Sequence, residues 1–297
     1  MPNLKSIKRK ISSVKNTRQI TKAMKMVAGA KLKRNQAAMN EFKTYSSSFD
    51  GIINNISKNT VLYSHPFYKK NLRDNDNDGD KISRGILIIS TDRGLCGSFN
   101  MNLFKLFFEE LETMVPDADP AKLYILGKKG FDFFKRNDYE IAFKGFYSES
   151  ESISNLSVQL SNVMLNDFTE GKIGEIYVIS NNYISALHQM PIAERLLPFD
   201  SYDSGENKNS GGYLTEPVSY EDDIIDKIFK DYIRTKIYFK ILESFAGEQA
   251  SRMYAMDNAT RNAGKLINKL TIIYNKARQA AVTLEILDII NGVNAVK

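Results

Sequence analysis

This 297-residue sequence predicts a mixed α/β architecture: a long antiparallel coiled coil of the N- and C-terminal helices, with a Rossmann-like α/β domain between them. Three observations carry that prediction. Proline is absent between Pro2 and Pro66 and again after Pro217, and proline costs about 3 kcal/mol inside a helix, so these two stretches can hold long ones. Apolar residues in both stretches recur at alternating steps of three and four, the spacing of a coiled-coil seam. The middle changes to short apolar runs alternating with helical patterns, the grammar of a parallel sheet with crossover helices. The corresponding domains are 1–60, 61–217 and 218–297.

The first helix is expected from about 3 to 57. Ile7, Ile11, Val14, Ala28, Leu32, Met39, Phe42, Phe49, Ile53 and Ile56 share one register, interrupted by Arg18, Thr21, Lys25, Asn35 and Ser46. Residues 1–40 carry eleven Lys or Arg and no acid. That basic start has no continuous apolar stretch and no small-residue cleavage site, which argues against a signal peptide, and its periodicity runs on past residue 30 as mature helix.

In the middle, "GILIIST" (85–91), "KLYILG" (122–127) and "GEIYVISN" (174–181) read as strands. Helical patterns lie at 100–114, 128–137 and 153–171. The order predicts a parallel, doubly wound sheet. Polar segments at 71–83 and 200–212 read as loops. No internal repeat is present.

The last helix is expected from about 218 to 290. Its seam reads Met256, Ala259, Ala263, Leu266, Leu270, Ile273, Ala277, Ala280, Leu284 and Leu287. At 1.5 Å per residue it outruns the first helix by about 30 Å, so part of it projects alone and needs an enclosing partner for its apolar face. Residues 250–297 hold seven basic and three acidic side chains, against 41 and 35 in the whole chain, so both ends are positive and the centre acidic. That asymmetry points to an acidic partner for the ends.

Composition excludes several chemistries. The single cysteine, Cys96, allows no internal disulfide, and two histidines, His65 and His188, are too few for a zinc site without cysteine partners. No apolar run reaches the roughly 20 residues that cross a bilayer. "DNDNDGD" (74–80) places Asp74, Asp76, Asp78 and Gly79 as in a calcium loop, but the twelfth position is Gly85 rather than Glu, so it reads as a solvated acidic loop. "STDRGLCGSFN" (90–100) is a strand–turn–helix corner that meets neither phosphate-binding fingerprint, and Cys96 has no plausible catalytic histidine. No catalytic, cofactor-binding or metal-binding residue is assigned. The basic first helix has no aromatic before Phe42, which weighs against base recognition, although phosphate attraction alone stays open.

"KSIKRKISSVKNTRQITKAMKMVAGAKLKR", "STDRGLCGSFN" and "SRMYAMDNATRNAGKLINKLTIIYNKARQAAVTLEILDIINGVNAV" together resemble the γ subunit of F-type ATP synthases, in the right order and at the right distances along nearly the whole chain. The polar segments 71–83 and 200–212 look like local elaborations. The resemblance implies a non-catalytic rotor shaft that turns inside a ring of α and β subunits and couples ion flow to ATP synthesis or hydrolysis. It implies ε and δ subunits and a membrane ring of c subunits as further partners, no cofactor, no nucleic acid, and a peripheral place on the cytoplasmic side of a bacterial inner membrane. By motif, Met24 and Lys25 lie near levers on β, while Arg252, Arg278, Gln279 and Thr283 face its catch loops and collar. Two other readings stand beside this one. A nucleic-acid-binding coiled coil predicts affinity that falls steeply with salt. A static scaffold predicts a symmetric seam and has no use for a bare helical tip.

Overall fold

The computed structural model describes residues 4–56, 65–68, 83–114, 121–137, 139–148, 152–199 and 221–295. The acidic stretch 74–80 and the polar segment 200–212 lie outside the described residues. In chain order the elements are α1 (Leu4–Ile56), β1 (Arg84–Ile89), α2 (Phe99–Met114), β2 (Ala121–Leu126), α3 (Lys128–Phe134), β3 (Glu140–Gly145), α4 (Ile153–Thr169), β4 (Glu175–Tyr183), β5 (Gln189–Leu197) and α5 (Glu221–Ala295). The chain divides into two compact units: residues 1–30 with 252–297, and residues 31–251.

The second unit contains the sheet, in strand order β3-β2-β1-β4-β5. β1, β2, β3 and β4 are parallel, and β5 returns antiparallel to β4. A wholly parallel sheet was the expectation; the structure corrects it by one edge strand. The sequence pattern also misses β3 and β5 themselves. β3 is half-exposed and lacks a continuous apolar run. β5 contains Pro191, Glu194 and Arg195, residues that an edge strand accommodates and a central strand does not.

β1 and β2 are buried on both faces, which is why they read as unbroken apolar runs. Leu87, Ile89, Tyr124 and Leu126 point to one face, covered by α4 (Leu156, Leu160, Met164, Phe168) and by α5 (Ile225, Phe229, Ile233, Ile237, Ile241). Ile86, Ile88, Leu123 and Ile125 point to the other, beneath Leu103, Phe104 and Phe107 of α2 and Phe134 of α3. The tight β2–α3 corner needs Gly127, at φ 94°, because a side chain there would run into the Ser90 backbone. Within this unit α1 and α5 are antiparallel: Phe42 meets Tyr238 edge-on at 4.9 Å, and Asp50 accepts from Tyr232 Oη at 2.9 Å and pairs with Lys236 at 2.7 Å.

The first unit is made of the remaining parts of the same two helices, again antiparallel. Gly29 lies against Met253, Lys25 Nζ reaches Asp257 at 2.6 Å, the Thr21 and Thr260 hydroxyls are 2.8 Å apart, and Gly264 faces the Arg18 guanidinium. The α1 seam keeps the expected heptad register. Ile7, Thr21, Ala28, Leu32, Met39, Ser46 and Ile53 are buried, so two of the polar interruptions are seam residues in their own right. The α5 seam departs from expectation. Ile267 is buried (9% exposed) whereas Leu266 is 45% and Ile273 39% exposed. A helix of 3.6 residues per turn drifts about 20° per heptad from a strict seven-residue repeat, and here that drift exchanges Leu266 for Ile267 and Ile273 for the half-covered Tyr274.

Candidate partner-docking surface

Antiparallel pairing brings Arg18 level with Gly264. Carried to Leu4, the first described residue of α1, the same pairing reaches Arg278. Among the described residues, the rest of α5, to Ala295, therefore runs without α1 beside it for about 27 Å. Val282, Leu284, Ile286, Leu287, Ile289 and Ile290 in this stretch are each between 45% and 67% exposed. At 100° per residue they point round most of the helix circumference. Glu285 and Asp288 share the remaining sector, and an exposed helix with so broad an apolar face belongs against something else.

The six residues assigned by resemblance fall at two levels of the first unit. Arg278, Gln279 and Thr283 are exposed at the start of the bare stretch, where the Thr283 hydroxyl donates to Gln279 O at 2.9 Å. Met24 is half-buried, and Lys25 is half-exposed with its ammonium engaged by Asp257. The Lys25 hydrogen bond, followed by the charges of Lys25 and Arg261, holds the Asp257 carboxyl below the usual carboxylate range. Arg252 is only 9% exposed, so most of its side chain is spent inside this chain. Sequence reasoning passed over Ile20, Met26 and Val27, which are about 60% exposed beside Lys22 and Lys25. Their signal was available: they are apolar at positions off the heptad seam.

The "STDRGLCGSFN" corner uses its polar groups on its own chain. Asp92 accepts from the backbone N–H of Lys128 at 3.0 Å and of Ser148 at 2.7 Å, stapling the loops after β1, β2 and β3. The Asn100 amide accepts from Thr91 N and donates to Thr91 Oγ1 at 2.7 Å. Cys96 is buried, and Leu95 and Gly97 carry the positive φ angles of the turn. A groove of about 770 Å³ in the second unit is lined by Tyr45, Phe49, Ile224 and Ile228, with Asp231 already paired to Arg234 at 2.8 Å. Among the described residues no His, Cys, Asp and Glu cluster is arranged for a metal ion, and no helix is long and apolar enough to cross a membrane.

Paired helices, one outrunning the other and broadly apolar at its bare end, together with an α/β unit whose corner loop is satisfied internally, define a protein that works by docking within a larger assembly. A family profile described as ATP synthase matches residues 3–296. The ATP synthase gamma chain of Histophilus somni is 38% identical over 299 residues, and that of Glaesserella parasuis 37%, each alignment covering all of both chains. The chain belongs to the ATP synthase gamma chain family. Its fold is also that of a chain in the cryo-EM structure of the Euglena gracilis mitochondrial ATP synthase (OSCP/F1/c-ring, rotational state 3), with a TM-score of 0.68, 20% identity, and 99% of this chain and 94% of that one covered.

Proposed function

We propose that this chain is the central rotor stalk of an F-type ATP synthase, turning within an α/β catalytic ring and coupling ion flow through a membrane c ring to ATP synthesis or hydrolysis. The chemistry belongs to the ring; this chain carries none. The observation that carries the reading is the bare end of α5: a single helix, apolar over most of its circumference, fits a collar that encloses it while letting it turn. Arg278, Gln279 and Thr283 sit where that collar begins. Arg278 and Gln279 offer hydrogen-bond donors to carboxylates and carbonyls of β loops. Met24, Lys25 and the exposed basic residues of α1 meet acidic levers on β, because charge attraction acts at range with little angular demand. Arg252, at 9% exposure, contributes by fixing its own level of α5 rather than as an open docking surface. The ε and δ subunits complete the complex, which lies peripherally on the cytoplasmic side of a bacterial inner membrane.

The test is reconstitution. α and β subunits combined with this chain are expected to give a complex in which a probe on the chain turns in one direction with ATP, while the isolated chain hydrolyses none. A stationary probe in a complex that hydrolyses ATP would leave only a scaffold.

A further inference from the structure

Between Lys240 and Ser251 one stripe of α5 runs along the β4–β5 hairpin, at steps of three and four that keep it on a single helix face. Lys240 is 7% exposed. Its Nζ lies 2.7 Å from Glu194 Oε2 on β5, donates to Asn182 Oδ1 on β4 at 3.3 Å, and stands 3.9 Å from Glu243 Oε2. Glu243 Oε1 accepts from Tyr183 N at 3.1 Å. Gly247 lies against Phe99 and Gln189 so closely that any side chain would have to displace them. One turn on, the Ser251 hydroxyl donates to Gln189 Oε1 at 2.6 Å. Elsewhere on the circumference, Phe245 packs edge-on against Tyr147 at 4.5 Å and its carbonyl accepts from Asn35. Over this stretch the helix is gripped from several directions.

The neighbouring contacts of α5 with the sheet core are of another kind: Ile225, Phe229, Ile233, Ile237 and Ile241 form a hydrocarbon stripe. Hydrophobic contact is non-directional. It resists any turn large enough to carry the stripe into water, but a small angular slip within the width of the stripe changes little of the buried area. The directional contacts of a buried ammonium behave differently. A slip of a few ångströms at the side-chain radius would take Lys240 out of reach of Glu194 and Asn182, and Glu243 out of reach of Tyr183 N, and directional contacts of this kind fix register rather than add net stability. We propose that Lys240, held by Glu194 and Asn182 of the sheet with Glu243 beside it on its own helix, is a positioning residue that keys α5 to the sheet edge, so that torque passes between this helix and the α/β unit without slip. The proposal rests on the rotor reading.

The experiment uses the assembled complex, immobilised through its ring, with a probe of adjustable drag on a cysteine introduced at the exposed α4 position, Gln159→Cys. Wild type should turn the probe under every load; if it turns none, the rotor reading fails and this proposal with it. Lys240→Met should hydrolyse ATP within about twofold of wild type under no load, yet turn a high-drag probe at least fivefold more slowly, with Lys240→Arg restoring the rate. Should Lys240→Met fail to assemble, Glu194→Gln, at a half-exposed position, reads the same way. A core variant on the opposite sheet face, Ile86→Val, serves as the stability control. Wild-type turning of the Lys240→Met or Glu194→Gln complex under full load would overturn the proposal. So would an equal loss in an Ile86→Val complex with a matched drop in melting temperature, since the effect would then be one of stability rather than keying.

Discussion

Replacing Ile267 and Leu266 by alanine, one at a time, separates the seam seen in the structure from the seam read by strict heptads. Ile267 is 9% exposed, level with Val14 by the antiparallel pairing, while Leu266 is 45% exposed. Ile267→Ala removes three buried carbons, each contributing about 0.8 kcal/mol. A two-helix seam can partly collapse around the gap, and alanine recovers a few tenths through helix propensity. The expected loss is about 2 kcal/mol. Leu266→Ala removes the same number of carbons from a position half in water already, so its cost should stay under about 1 kcal/mol. Hydrogen exchange of the amides from 260 to 275 in the isolated chain reads this directly: about thirtyfold faster exchange for Ile267→Ala, and fivefold or less for Leu266→Ala. If the order is reversed, α5 follows the strict seven-residue repeat and the drift described above is wrong.

The double substitution Arg278→Ala with Gln279→Ala removes two exposed side chains and little packing, so the free chain should melt as wild type while ATP hydrolysis per assembled complex falls severalfold; unchanged activity would make the pair ordinary helix surface. Gly127→Ala, at φ 94° and against the Ser90 backbone, should cost several kcal/mol in denaturant unfolding of the chain, and a loss under 1 kcal/mol would contradict the corner geometry. The Asp257 carboxyl is held below its usual range by Lys25. A depressed folded pKa means stability present above the unfolded value and lost as pH falls through the folded one, so protection of α5 amides near 257 should differ between wild type and Asp257→Asn above about pH 4 and converge below it. A difference that persists at low pH would assign the effect to something other than this carboxylate.

Helices α1 and α5, the central strands β1, β2 and β4, and the three helices between them were legible in the sequence, because each is announced by a local signal. Proline positions bound where a helix can run, and a central strand buried on both faces must be apolar throughout. Thr21 and Ser46 looked like interruptions only because their residue type, unlike their spacing, did not suggest burial. The bare end of α5 was legible too, as a difference in length between two proline-free stretches.

What the tertiary structure decided are the features whose sign depends on a partner distant in sequence. β3 and β5 are strands because β2 and β4 offer hydrogen-bonding edges, while their own residues, Pro191 and Glu194 among them, suit an edge and would suit a loop as well. Which of Leu266 and Ile267 faces α1 turns on a drift of a few tens of degrees that apolar spacing alone does not resolve. Arg252 and Lys240 read as surface cations by type, yet both are buried, Lys240 between carboxylates from β5 and its own helix. A sequence sets what each segment can bury, through local period and composition. Where a charge goes is settled only when chain folding brings its counter-charge within a few ångströms, since only then does the interaction offset the cost of leaving water.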